Sequence, residues 1–221
     1  MGALSVTLYT PLPKLAGELA EVLRLFYAPL SIRVVPVRGQ ETDDLTGDAA
    51  EADGTAPWSP GEAAAGSAEG REAGERGSEG VSLRLTLTRE NGLWHCRYAW
   101  NGRTWEETAP LPPLEGEHGA LLYKRLRKRL CKLALYRFCK ALTGDQPPWG
   151  SLTGIRPTRL LYEGLARGET LAQAQERLVG LFDVSPQKAA LLGRIVARQI
   201  TLPAPAVSDV DVYVSIPFCR T

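Results

Sequence analysis

Two Asn-Gly pairs, Asn91-Gly92 and Asn101-Gly102, stand ten positions apart in this 221-residue chain, and each is flanked by residues that suit a strand. Asn-Gly accepts the positive backbone φ angles that a two-residue hairpin turn demands. Before the first pair, "VSLRLTLT" alternates Leu83, Leu85 and Leu87 against Arg84, Thr86 and Thr88; between the pairs runs "LWHCRYAW", and after the second comes "RTWEET". The spacing therefore predicts a three-stranded meander with one leucine-lined face. His95 and Cys96 are neighbours in its middle strand and should point to opposite faces, which predicts structural roles rather than a shared ligand.

Upstream, "LSVTLY" reads as a strand. "PKLAGELAEVLRLFY" places Leu15, Leu19, Val22, Leu23 and Phe26 on one helical face, and "SIRVVPV" reads as a second strand. This β-α-β opening and the meander make a small α/β domain over 1–112. Residues 41–80 interrupt it with eleven acidic residues, only Arg71 and Arg76 as bases, and a single aromatic, Trp58. Such a composition cannot bury enough apolar area to offset its ordering entropy, so it predicts a disordered acidic insertion. The net charge of +1 hides this division: the remainder carries 24 basic and 14 acidic groups.

From His118 a long amphipathic helix is expected. Leu122, Leu126, Leu130 and Leu133 follow its 3.6-residue period, and Lys124, Arg125, Arg127, Lys128, Arg129 and Lys132 cover the other side. The basic face admits three readings: a solvated face, a surface for an anionic small molecule or acidic partner, or a track for nucleic acid. Nucleic acid is disfavoured, because no aromatic stacking platform accompanies the charges. The second half of the helix, with Leu135, Tyr136, Phe138, Cys139 and Leu142, is apolar nearly all round and should be buried. Cys131 and Cys139 lie eight positions, roughly 12 Å, apart at helical rise and read as core thiols.

"GSLTGIRPTRLLYEGLARG" then predicts a short helix over 158–167, started by Pro157 and stopped by Gly168, with Leu160, Leu161 and Leu165 inside. Thr170 and Gln173 form a capping box for a second helix. Ser185-Pro186 opens a third, with Leu192, Ile195, Val196 and Gln199 or Ile200 on one side. Residues 113–202 are thus a helical module. Arg156 could bind a carboxylate or phosphate bidentately, or be held by a nearby acid or helix-terminal carbonyls.

Four cysteines without a C-x-x-C pair suit neither a disulfide framework nor a complete metal site. No apolar run spans a membrane and no basic leader opens the chain, so a cytoplasmic location and no membrane partner are expected. "TLPAPAVSD" reads as a connector. Beyond it Val210, Val212, Val214 and Ile216 alternate with Asp211, Tyr213 and Ser215 as a strand. Pro217 ends that strand and presents Cys219 just past its carboxyl end, where parallel α/β barrels place their chemistry.

"YVSIPFC" resembles the opening of the radical S-adenosylmethionine signature of oxygen-independent coproporphyrinogen III oxidases. Ser215 in the usual histidine place, with "LTGIRPTRL" upstream, is similar to the HemZ branch of coproporphyrinogen dehydrogenases. The family pattern is C-x3-C-x2-C, and its first cysteine alone is present. The resemblance implies that Cys219 is one of three thiolates on a [4Fe-4S] cluster and that Tyr213 lies beside S-adenosylmethionine. It also implies a substrate such as coproporphyrinogen III, an electron donor, and the oxidative decarboxylation of propionates to vinyl groups. Its fold is then α+β: a β-α-β and meander domain, a helical module, and over 203–221 a linker and the first strand of a truncated (β/α) barrel. A fragment so truncated should hold no cluster and be inactive by itself. Two other readings remain: a haem-binding relative that carries the same motif, and a nucleic-acid module whose binding falls with salt and with Arg127 and Arg129 changed to alanine.

Overall fold

A computed structural model of the chain describes residues 4–38, 81–112, 119–153 and 156–202, together with Val210, Val212 and Val214. The expected acidic insertion lies outside the described residues. Five strands, β1 (Leu4–Thr10), β2 (Leu30–Pro36), β3 (Val81–Glu90), β4 (Leu93–Trp100) and β5 (Arg103–Pro110), form one mixed sheet in the order β2-β1-β3-β4-β5. Helix α1 (Ala16–Arg24) connects β1 to the parallel β2, and α2 (Gly119–Thr143) follows β5. Three further helices complete the described chain: α3 (Pro157–Ala166), α4 (Leu171–Phe182) and α5 (Pro186–Gln199). The architecture is α+β.

The meander forms as its turns require. Glu90 pairs with Leu93 and Trp100 with Arg103, so each loop has two residues. Asn91, Gly92, Asn101 and Gly102 adopt φ of 50, 76, 48 and 77°, the left-handed pair that matches the natural strand twist. β3 then pairs on its other edge with β1, in parallel, which brings the two halves of the sheet together across the insertion. β2 is one edge strand and β5 the other. Pro36 of β2 pairs opposite Thr10 at the strand end, where a missing amide donor is tolerated.

Period-two alternation decides which face is covered. Val6, Leu8, Leu83, Leu85, Leu87, Trp94, Cys96 and Tyr98 all point inward with no more than 1% exposure, beneath α1 and α2. On α1 the expected face is buried at Leu19, Val22 and Leu23. A 3-10 turn at Pro13–Leu15 precedes that helix, and Phe26 lies just beyond its end. Thr10 is buried too, and its hydroxyl accepts the amide proton of Leu12 at 3.0 Å, which sets the chain's exit from β1.

Helices α3, α4 and α5 enclose a second, smaller apolar cluster around Leu161, Ala174, Leu178 and Val196. The capping box is present: the Thr170 hydroxyl accepts from the Gln173 amide, and Gln173 Oε1 accepts from the Thr170 amide. Ser185 caps α5 in the same manner through the Lys188 amide. On α5 the expected face is correct at Leu192 and Val196. It is wrong at Ile195 and Ile200, which are 38% and 57% exposed, because the buried stripe runs instead through Ala189 and Gly193. Of the expected strand over 210–216, Val210, Val212 and Val214 are described; they lie outside any strand and are exposed. The rest of that segment, Tyr213 and Cys219 included, lies outside the described residues.

Candidate functional site

Helix α2 is the spine on which the chain's polar chemistry is mounted. One face carries Leu126, Leu130, Leu133 and Ala134 into the core, as the leucine period predicts. The other face is not the free solvated surface that its composition allowed. Arg127 is 7% exposed and lies over the Tyr123 ring, with 5.9 Å from Cζ to the centroid. Lys128 and Lys132 both reach Glu18 on α1. Arg137 donates to Glu107 at 2.9 Å, where the carboxylate side chain is 6% exposed and also accepts from Trp105. A long helix laid across a sheet is wide enough that its flanks also meet neighbours, so several of its cations become ties between elements.

One flank faces the helical module. Arg125, Arg129, Lys132, Tyr136 and Lys140 recur at intervals of three or four and so share a stripe. Across from it stand the 147–153 loop and the end of α4. Lys140 pairs with Asp183 at 3.1 Å, and Lys132 donates to the Thr153 carbonyl at 3.3 Å. Arg129 lies over the Phe182 ring at 5.4 Å. The loop itself is tied to α4: the Ser151 amide and hydroxyl both donate to the Phe182 carbonyl, at 2.8 and 3.2 Å. Gly150 makes that approach possible. Its φ is +58°, and a Cβ there would stand 1.9 Å from the same carbonyl oxygen.

Electrostatically the seam is satisfied only in part. Arg129 has no hydrogen bond or ion pair among the described residues, and burial lowers its guanidinium pKa, with Arg125, Arg177 and Arg167 pushing the same way against Glu163. Burial also lowers the Lys132 ammonium, and Glu18 opposes that shift. The hydroxyls of Tyr136 and Thr153 are buried without a partner among the described residues. Burial, with a smaller push from Asp183, raises the Tyr136 phenol to about 12. Nearby, Arg167 and Arg177 are already committed to Glu169, at 3.0 Å each.

The sequence-predicted residues fall in separate places. His95 Nδ1 meets Glu106 at 2.9 Å on one face of the sheet while Cys96 is buried on the other, as alternation requires. Cys96, Cys131 and Cys139 are free, buried thiols; Cys96 and Cys131 lie near each other in one core, which their sequence separation conceals. Burial drives Cys96 well up and Cys139 to about 12, the reverse of what a thiolate ligand requires. No group of three or more His, Cys, Asp or Glu among the described residues could hold a metal ion, so these residues do not fit an iron-sulfur cluster. Arg156 stands exposed in extended conformation at the start of α3, where its carbonyl accepts from Arg159.

One feature left no sequence signal. An open groove of about 630 Å³ is lined by Phe26, Tyr27, Trp100, Leu142 and Arg103 among others. The Tyr27 and Trp100 rings lie 5.2 Å apart, and burial raises the Tyr27 phenol to about 12. Its aromatics come from β4 and from the segment after α1, so only the folded sheet assembles it. The seam residues could have been found in part: the polar stripe on α2 has the same three-and-four spacing as the leucine stripe, but spacing names a face and not its partner.

Among known proteins, the chain is similar to the oxygen-independent coproporphyrinogen-III oxidase-like protein HemZ of Bacillus subtilis (strain 168). The two are 38% identical over 148 residues, which takes in 64% of this chain and 28% of that protein. The chain therefore spans little more than a quarter of the relative it matches. This similarity bears out the resemblance carried by "YVSIPFC" and "LTGIRPTRL". No family model matches the chain. No solved structure matches it either. Among the described residues no helix is long and apolar enough to cross a membrane.

Proposed function

We propose that this chain is the N-terminal part of a cytoplasmic radical S-adenosylmethionine oxidoreductase that oxidatively decarboxylates a coproporphyrinogen III-like tetrapyrrole. The observation that carries this reading is the 38% identity to a protein named as coproporphyrinogen-III oxidase-like, in a chain that also contains the heptapeptide ending at Cys219. Cys219 is the first cluster thiolate, Tyr213 neighbours S-adenosylmethionine, and Arg156 is available to an anionic group. Residues 203–221 open the (β/α) barrel. The cluster and S-adenosylmethionine supply radical chemistry, while the residues described above form a scaffold ahead of it.

Two considerations support assigning the cluster to Cys219. The other three thiols are buried, Cys96 and Cys139 with raised pKa values, and among the described residues no further ligands gather about them to hold a metal. The 221-residue chain alone should bind no cluster and show no turnover. Anaerobic reconstitution with iron and sulfide, followed by iron analysis, tests this: one [4Fe-4S] cluster per 221-residue monomer would overturn it. In the full-length protein, Cys219→Ala should abolish the cluster absorbance and conversion of coproporphyrinogen III. Stable haem binding without turnover by the intact protein would instead support a haem-carrying role.

A further inference from the structure

The flank of α2 that faces the 147–153 loop contains an imbalance that packing alone does not explain. The Arg129 side chain is only partly exposed, and a guanidinium partly withdrawn from water is stabilised by an anion, since desolvation disfavours an uncompensated charge. Arg129 lies over Phe182, and contact with a ring face leaves N–H donors for another partner. Among the described residues none of them meets an acceptor. Glu163 is the acid whose charge bears most on Arg129, but it is paired with Arg159 at 3.1 Å. The neighbouring Arg167 and Arg177 share Glu169.

The groups around Arg129 are also short of partners. Lys132, one turn along, holds the Thr153 carbonyl at 3.3 Å and so fixes the residue whose hydroxyl is buried and unpaired. Tyr136, one further turn along, has a second buried hydroxyl without a partner. Water could satisfy the hydroxyls, but water carries no charge to balance the guanidinium. A planar or tetrahedral oxyanion answers both needs, because arginine's fork of donors suits carboxylate and phosphate oxygens.

We propose that the seam between α2 and the 147–153 loop binds a small oxyanion, a carboxylate or phosphate group, with Arg129 as its principal donor, the Thr153 hydroxyl as a second donor and Lys132 as the cation that positions Thr153. The loop is built to hold that geometry. Ser151 is doubly bonded to the Phe182 carbonyl, and Gly150 allows the backbones to touch. The site stands on α2 and its neighbours alone and does not depend on the assignment of Cys219.

The test is a titration of the full chain with sodium phosphate and, separately, sodium succinate at constant ionic strength, with chloride as the matched control. It is followed by nitrogen–proton NMR at the Ser151 and Thr153 amides and the Arg129 side chain. Saturable shifts with phosphate, succinate or both are expected, and the anion that saturates identifies the source of the group. Arg129→Gln should weaken binding about tenfold or more, the loss expected for a hydrogen bond to a charged donor. Thr153→Val should weaken it about threefold to tenfold, as for a neutral donor. Absence of saturable shifts with either anion overturns the proposal, and so does unchanged affinity in a folded Arg129→Gln. Should that variant fail to fold, the nearly isosteric Thr153→Val decides: unchanged affinity overturns the proposal.

Discussion

The sheet core and the helical module solve the same problem with different materials. Under the sheet, several polar atoms drawn into the packing find partners there from distant parts of the chain. Trp94 donates to the Tyr123 hydroxyl at 3.3 Å, Tyr98 to the Cys131 carbonyl at 3.1 Å, and Arg137 neutralises Glu107. In the module the core is leucine, alanine and valine with Phe182, and polar groups stay at helix ends, in caps and in the Arg167–Glu169–Arg177 cluster. Where the two regions meet along α2, neither solution is complete. The comparison teaches that local rules suffice for a helical module, while a sheet core depends on pairings between residues far apart in sequence.

The largest test of this contrast is Trp94→Ala. The variant removes a fully buried ring that stands edge-on to Tyr123 at 4.7 Å, and it should cost about 3–5 kcal/mol in urea unfolding. Amides of β3, β4 and α2 should lose protection together. Leu178→Ala is the counterpart in the module, with an expected cost of about 2–5 kcal/mol. Hydrogen exchange should then rise across α3, α4 and α5 while β4 stays protected; equal loss in β4 would show that the two clusters unfold as one unit.

Smaller changes sharpen the picture. Thr170→Ala deletes the capping-box acceptor and should cost about 1 kcal/mol, read as a lower urea midpoint with exchange rising first in α4. Thiol titration of the native chain should leave Cys96, Cys131 and Cys139 unmodified until denaturant is added. The smallest effect is on acid stability. Burial opposes ionisation of Glu169, but hydrogen bonds from Arg167 and Arg177 outweigh it and hold the carboxyl below its ordinary value of 4.5. Its contribution is therefore fully present above the ordinary carboxylate range and is lost as pH falls through the lowered value. Glu169→Gln should remove that part of the acid transition and leave the neutral-pH midpoint lowered slightly; an unchanged acid limb would remove Glu169 from the account.

How much was legible depended on whether the cause was local. The hairpins could be read because Asn91-Gly92 and Asn101-Gly102 determine their own backbone angles, and the α4 start because Thr170 and Gln173 satisfy each other within one turn. The buried face of α5 departs from the apolar period at Ile195 and Ile200, since a side with several apolar residues still leaves packing to choose among them, and the stripe runs through the small Ala189 and Gly193. The basic side of α2 was legible as a stripe but not as a set of contacts. Its partners Glu18, Glu107, Thr153 and Asp183 come from four separate places in the chain.

By itself, then, the sequence determined the strands, turns, caps and helix faces, and the short motif at Cys219 that accords with the HemZ relative. Periodicity and turn chemistry act within a few residues and leave a direct imprint. Tertiary structure alone decided that Cys96 would lie near Cys131, that Tyr27 and Trp100 would share a groove, and that Arg129 would be partly withdrawn from water without an ion pair among the described residues. Such outcomes depend on which surfaces come together, and a face defined by period does not specify what covers it.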